Sequence, residues 1–202
     1  MTRLIVVRHG QTLWNLERKY QGHSDIALTD KGIKQAEAVA ARLAEEKIDA
    51  VYASDLSRAF KTAACIADKH GLTVHVVPAL REIKFGDWEG LTYEQISEQW
   101  PGLLGKLWTT PDELQIPGGE SFQQLKERAY TAIEKIVAAH PDQTVIVVAH
   151  GGTIGTILCA MLDIHLNHVW SIRQDNTAVN IIEYYEGRPT ITLLNCARHL
   201  EE

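Results

Sequence analysis

The sequence predicts an α/β fold in three layers: a mostly parallel sheet flanked by helices, with a small cap insertion. Three observations lead there. Apolar, β-branched runs without polar alternation recur along the chain, as expected of strands covered on both faces. Stretches with helical periodicity separate them, the alternation that builds parallel sheets. One segment, about 80–119, breaks that rhythm with Pro101, Pro111, Pro117 and three of the five tryptophans.

The elements follow in order. Strands are expected at Leu4–Val7, Ala50–Tyr52, Thr73–Val77, Val145–Val148, Ala178–Tyr184 and Thr190–Leu194. Ile33, Ala36, Ala40, Leu43 and Ala44 share one helical face, with Thr29 or Asp30 placed to cap it. A second helix runs from near Ser57 and stops at Gly71. Leu125, Ala129, Ala132, Ile133, Ile136 and Val137 form a third stripe. Ser121 and Gln124 have capping-box spacing before it, and His140-Pro141 stops it. "HGGTIGTILCAML" opens a fourth helix. The 80–119 segment holds one short helix and reads as a cap folded over the sheet, so residues 1–202 make one domain.

Composition excludes several classes of function. The 202 residues suffice for one substantial core, and 45% hydrophobic with 23% charged residues is ordinary for a globular protein. A net charge of −6 argues against a nucleic-acid or anionic-membrane partner. No run approaches the ~18 apolar residues of a membrane span. Arg8 interrupts the only N-terminal run that resembles a leader. Cys65, Cys159 and Cys196, an odd count at unrelated spacings, suit a reduced cytoplasmic protein.

"IVVRHG" (Ile5–Gly10) and "IVVAHG" (Ile146–Gly151) are nearly the same six letters written twice. Ligands of open parallel sheets sit beyond the carboxyl ends of the strands. If these two strands are neighbours, His9 and His150 enter one crevice, and the helix start after His150 favours an anion. Arg8 precedes His9, and Arg58 opens a helix at the same sheet edge. Two guanidinium forks with two imidazoles suit a dianionic phosphoryl group. Neutral His9 can then attack phosphorus and carry the group covalently. The leaving alkoxide needs a proton. Glu82 is the candidate acid, with Asp87 and Glu89 as rivals; apolar Ile83, Phe85 and Trp88 beside it are expected to favour its protonated form. Zinc is the competing chemistry for the two histidines. Arg8 would repel a dication, no HxH or HExxH spacing occurs, and His165 with His168 lack a third partner. No metal and no cofactor are expected.

These residues sit within "RHGQTLWN" (8–15), "YQGHSDIALTDKGIKQA" (20–36), "SDLSRAFKTA" (54–63), "LREIKFGDWEG" (80–90), "PGGES" (117–121) and "VVAHGGTI" (147–154). The ordered set, spanning nearly the whole chain, resembles the histidine phosphatase superfamily, also called phosphoglycerate-mutase-like. The resemblance implies a metal-free phosphohistidine mechanism with His9 as nucleophile and Arg8, Arg58 and His150 on the phosphate. It makes Glu82 the proton donor that later activates water. It further implies that Asn15, Gln21, Gly22 and the Gly151 N–H contact substrate. Gln11 departs from the family, where many members carry glutamate, and is expected to make the pocket slightly more anion-friendly.

Within that resemblance the chain is similar to the shorter phosphatase branch, including α-ribazole phosphatases and broad-specificity phosphatases. A mutase needs extra basic residues in the cap to hold a second phosphate. Between Leu91 and Gly119 only Lys106 is basic, against Glu94, Glu98, Asp112 and Glu113. Trp100, Leu103, Leu104, Leu107, Trp108 and Ile116 either line a pocket for bulky alcohols or merely pack the cap. The expected function is hydrolysis of small phosphate monoesters, α-ribazole 5′-phosphate among the candidates. Phosphoglycerate mutase and a silent phospho-ligand binder are the alternatives. The expected partner is that small molecule, and a homodimer through a sheet edge or the cap is the one protein contact considered.

Overall fold

The computed structural model describes residues 1–201. In chain order its elements are β1 (Thr2–Arg8), α1 (Leu13–Leu16), α2 (Asp30–Leu43), β2 (Ala50–Ala53), α3 (Ser57–His70), β3 (Val74–Val76), α4 (Tyr93–Gln99), α5 (Leu103–Thr109), α6 (Phe122–Ala139), β4 (Thr144–Ala149), α7 (Gly151–Met161), β5 (Val179–Tyr185) and β6 (Arg188–Cys196). All six strands join one sheet in the order β3-β2-β4-β1-β5-β6. β3, β2, β4 and β1 are parallel, while β5 and β6 add as antiparallel strands beside β1.

The apolar strands are buried on both faces. Leu4 and Val6 of β1 with Val145 and Val147 of β4 face α6, α7 and the 80–119 segment. The alternating residues Ile5, Val7, Ile146 and Val148 face α2 and α3. Period-two geometry thus sends each strand's side chains into two different cores, which is why β1 and β4 show no polar alternation. At the edge, β6 does alternate between exposed and half-buried positions.

The helices start and stop where local chemistry directs. Thr29 caps α2 by accepting Gly32 N–H at 3.0 Å. Ser121 and Gln124 form the reciprocal capping box of α6, and Gly71 ends α3 in the left-handed conformation that only glycine adopts freely.

The 80–119 segment differs from expectation. It holds two short helices, α4 and α5, separated by Trp100, Pro101 and Gly102, the last with φ +78°. Thr92 and Gln95 cap α4 in a box too short to stand out from the surrounding pattern. Leu104, Leu107 and Ile116 pack into the core shared with α6 and α7, and half-buried Trp100 and Leu103 lie against it. Among the six apolar residues offered as pocket lining, only Trp108 has that place. Among the described residues, no helix is long and apolar enough to cross a membrane.

Candidate active site

β1 and β4 lie side by side, Arg8 opposite Ala149. The next residue on each strand is the histidine, and His9 N–H donates to Ala149 O at 3.0 Å. Both imidazoles therefore leave the sheet at one edge, ring centroids 5.1 Å apart and tilted by 57°.

Hydrogen bonds fix which nitrogen of each ring carries the proton. His9 Nδ1 lies 2.7 Å from Gly10 O, which can only accept, so Nδ1–H donates and Nε2 keeps its lone pair. Arg58 Nε donates to His150 Nδ1 at 3.3 Å, so the proton of neutral His150 sits on Nε2. His150 Nε2 and Arg8 Nε are buried and, among the described residues, have no partner. Buried donors left unmatched are costly, and two of them at one sheet edge are chemically suited to an acceptor-rich ligand.

The charges shape the titration. Burial, then the Arg58 and Arg8 cations, hold the His9 imidazole well below its ordinary 6.5. Burial, Arg58 and His9 do the same to His150. Both rings are thus neutral at physiological pH. Arg58, 1% exposed, is pushed down to about 10 by burial, against the pull of Glu82 and Asp25, and remains a cation. Arg58 is also rigid: Nη1 donates to Ser24 O and Nη2 to Gly22 O, each at 2.8 Å. Arg8 Nη1 donates to Gln174 O at 2.5 Å.

Glu82 comes from the loop between β3 and α4. Its Oε2 accepts Gly152 N–H at 3.1 Å; its Oε1 accepts Thr153 N–H at 3.0 Å, Thr153 Oγ1 at 3.1 Å and Ile83 N–H at 3.0 Å. The carboxyl group is therefore docked on the N-terminus of α7. Of the three apolar neighbours expected, Ile83 and Trp88 face the core, and only Phe85 lines the cavities beside Glu82. Its rivals lie elsewhere. Glu89 takes His23 N–H, Ser24 N–H and Ser24 Oγ, bracing the 22–24 loop. Asp87 packs beside Gly118.

A cavity of about 340 Å³ opens over this edge. Arg8, His9, Asn15, Gln21, Gly22, Arg58 and Glu82 line it. Asn15 Oδ1 takes Thr12 N–H, and Gln21 Oε1 takes Thr12 Oγ1, which leaves both amide NH2 groups for the cavity. His150 is fully buried behind His9. Gly151 lines a second cavity of about 200 Å³ that shares Arg8, Glu82, Phe85, Trp108 and Trp170 with the first. Gln11 bonds Thr29 through its side chain and is not among the lining residues, so its pocket effect has no direct route. Among the described residues, no three His, Cys, Asp or Glu side chains group as metal ligands.

The cavity also holds Phe85, expected only as a neighbour of Glu82, Tyr20, which opens the 20–36 stretch, and four residues that no motif singles out: Arg18, Lys19, Tyr93 and Trp170. For Arg18 and Lys19 the one sequence signal is their place just before Tyr20 and Gln21. Trp170 stands in a segment with no motif, and only the fold brings it within 5.2 Å, centroid to centroid, of Trp108.

The chain is similar in sequence and fold to known proteins. Residues 4–197 match the family described as the histidine phosphatase superfamily (branch 1). The chain is 42% identical over 203 residues to phosphoglycerate mutase-like protein 4 of Arabidopsis thaliana, covering 98% of this chain and 87% of that protein. It is 35% identical to phosphoserine phosphatase 1 of Hydrogenobacter thermophilus, over 100% of this chain and 96% of that one. The structure of Bacillus stearothermophilus YhfR superposes with a TM-score of 0.95 at 35% identity, each chain covered in full. The chain belongs to the histidine phosphatase superfamily.

Proposed function

We propose that this chain hydrolyses small phosphate monoesters through a covalent phosphohistidine at His9. The observation that carries the reading is the polarity of the two neighbouring rings: His9 keeps an Nε2 lone pair, while His150 offers an Nε2–H. One is a nucleophile and the other a donor to the oxygens of the group being attacked.

The steps follow. His9 Nε2 forms a bond to phosphorus as the bond from phosphorus to the ester oxygen breaks. Arg8, Arg58 and His150 neutralise the equatorial oxygens, helped by the Asn15 and Gln21 amides and the Gly151 N–H. Gly22 supports them by holding Arg58. Glu82, entering the cycle in its acid form, gives its proton to the departing alkoxide and is left as a carboxylate. A water then attacks phosphorus and passes a proton to the Glu82 carboxylate; the P–N bond breaks, phosphate leaves and neutral His9 returns. The residues supply acid, base, nucleophile and anion clamp, so no metal or cofactor enters the scheme.

The walls suggest the alcohol. Tyr20, Phe85, Tyr93, Trp108 and Trp170 offer aromatic faces to a bulky or aryl group, and Arg18 with Lys19 offer positive charge to an anionic one. α-Ribazole 5′-phosphate fits the first description, and phosphoserine fits the second through its carboxylate. Phosphoglycerate mutase is the second reading, favoured by the Arabidopsis relative's name; the acidic 91–119 segment argues against it. The free thiols of Cys65, Cys159 and Cys196 support a cytoplasmic setting. Light scattering would test a homodimer.

The deciding experiment uses p-nitrophenyl phosphate in excess EDTA. The wild-type protein turns over and His9→Ala does not, leaving no acid-labile phosphoprotein after a quench; turnover by His9→Ala overturns the nucleophile. A silent binder would show no turnover at all. A mutase would instead interconvert phosphoglycerates given a bisphosphoglycerate primer.

A further inference from the structure

The geometry points to Arg128, on α6, as a positioning residue for Glu82, acting with Glu120 as a brace on the loop that carries the acid. The inference rests on the reading of Glu82 as proton donor.

Residues 81–85 lie between two 3-10 turns, Pro78–Leu80 and Gly86–Trp88, and belong to no helix or strand. Their carbonyls need partners from outside, and Arg128 supplies those of Arg81 and Glu82, together with that of Ala79 in the preceding turn. Its Nη1 donates to Ala79 O at 2.7 Å and to Arg81 O at 2.9 Å. Its Nη2 donates to Glu82 O at 2.9 Å and to Glu120 Oε1, and its Nε donates to Glu120 Oε2 at 3.0 Å. All five guanidinium N–H groups are thereby engaged.

Glu120 holds the other side of the loop. Its Oε1 accepts Lys84 N–H at 2.9 Å, and its own N–H donates to Lys84 O at 3.0 Å. Backbone on both sides of Glu82 is thus tied to one ion pair at the start of α6. A further tie comes from His23 Nε2, 2.9 Å from Glu82 O. The side chain of Glu82 meets α7 and its main chain meets α6, so the carboxylate is fixed by two helices that pack on each other. Lysine could keep the charge of Arg128 but not the fork that reaches three carbonyls and a carboxylate together.

The test separates acid positioning from mere support of the fold. p-Nitrophenolate leaves readily without a proton, whereas the alkoxide of β-glycerophosphate requires one. Glu82→Gln is expected to lower kcat/KM on β-glycerophosphate roughly 100-fold and to affect p-nitrophenyl phosphate much less. Arg128→Gln should show the same selectivity at about tenfold, Arg128→Lys should recover part of it, and Arg128→Gln should add no selectivity on top of Glu82→Gln. Equal losses on both substrates in the Arg128 variants, with Glu82→Gln selective, overturn the positioning role. If Glu82→Gln is itself unselective, the acid assignment fails, and the Arg128 inference with it. Should Arg128→Gln not fold, Arg128→Lys carries the comparison alone: a loss confined to β-glycerophosphate supports the brace, and an equal loss on both substrates overturns it.

Discussion

Arg58 can donate five hydrogen bonds, and three go to the protein: to Gly22 O, Ser24 O and His150 Nδ1. That last bond gives Arg58 a second role besides its charge, because it sets the tautomer of a neighbouring ring. Losing it would free His150 to place its proton on Nδ1 and turn an acceptor lone pair toward the phosphoryl site. Arg58→Lys is therefore expected to behave much like Arg58→Ala, with kcat/KM down about 10- to 150-fold from one charged hydrogen bond alone. Nitrogen chemical shifts of His150 check the cause. The wild-type protein should show Nε2–H, and Arg58→Lys a mixture of tautomers. A lysine variant with near-normal activity would reduce Arg58 to a point charge. None of this was legible in "SDLSRAFKTA": the sequence put an arginine at the right sheet edge, but its partners come from the 22–24 loop and from the end of β4.

At the scale of elements, α2 is docked by backbone contact immediately after His9, the proposed nucleophile. Gly32 lies in its first turn, and a Cβ there would stand 2.0 Å from Gln11 O. The fit is reciprocal, since a Cβ on Gly10 would stand 2.4 Å from Gly32 O. Glycine to alanine inside a helix ordinarily stabilises by up to about 1 kcal/mol. Here the sign should reverse, because the obstructing atoms are main chain and cannot rotate away. Overpacking of this kind costs about 1–3 kcal/mol, roughly 2–4 °C in melting temperature per kcal/mol for a chain of this length. Gly32→Ala should therefore melt several degrees lower and lose activity, since Gly10 O anchors His9. An unchanged or higher melting temperature would show that α2 can slide. The elements themselves were largely readable. β1, β4, α2, α3 and α6 followed from apolar period and caps, because those signals are local. α1, α4 and α5 span only 4 to 7 residues, too few turns for a period to register, and Thr92 with Gln95 needed the fold to be noticed.

Across the whole molecule, a chain of net charge −6 gathers two buried or half-buried arginines against two neutral histidines at the centre of its sheet. The duplicated His-Gly endings made the pairing of His9 with His150 legible, because strand ends of a parallel sheet share an edge. The aromatic wall was not, because Tyr20, Phe85, Tyr93, Trp108 and Trp170 come from distant stretches that only tertiary packing unites. The same burial has a consequence for stability. In the folded protein His9 and His150 sit well below their ordinary 6.5; in the unfolded chain they titrate near it. As pH falls through about 6.5 the unfolded chain takes up protons that the folded one refuses, so stability is full above that pH and declines below it. Each ring contributes at most about 1.4 kcal/mol per pH unit, roughly 3–6 °C of melting temperature. His199, held at about 4 by burial and Arg42, adds in the same direction. The lowered carboxylates Glu46, Asp55 and Asp175 act later, because their stabilisation is lost only as pH drops past the ordinary carboxylate values of 4.5 and 3.8. Thermal unfolding followed by circular dichroism should thus show a melting temperature steady from pH 8 to 7 and falling from 6.5 to 5. His9→Gln should flatten that slope. A melting temperature constant down to pH 5 in the wild-type protein would mean that the rings accept protons while folded. The neutral imidazole on which the proposed nucleophilic attack depends would then be only one of two populated forms.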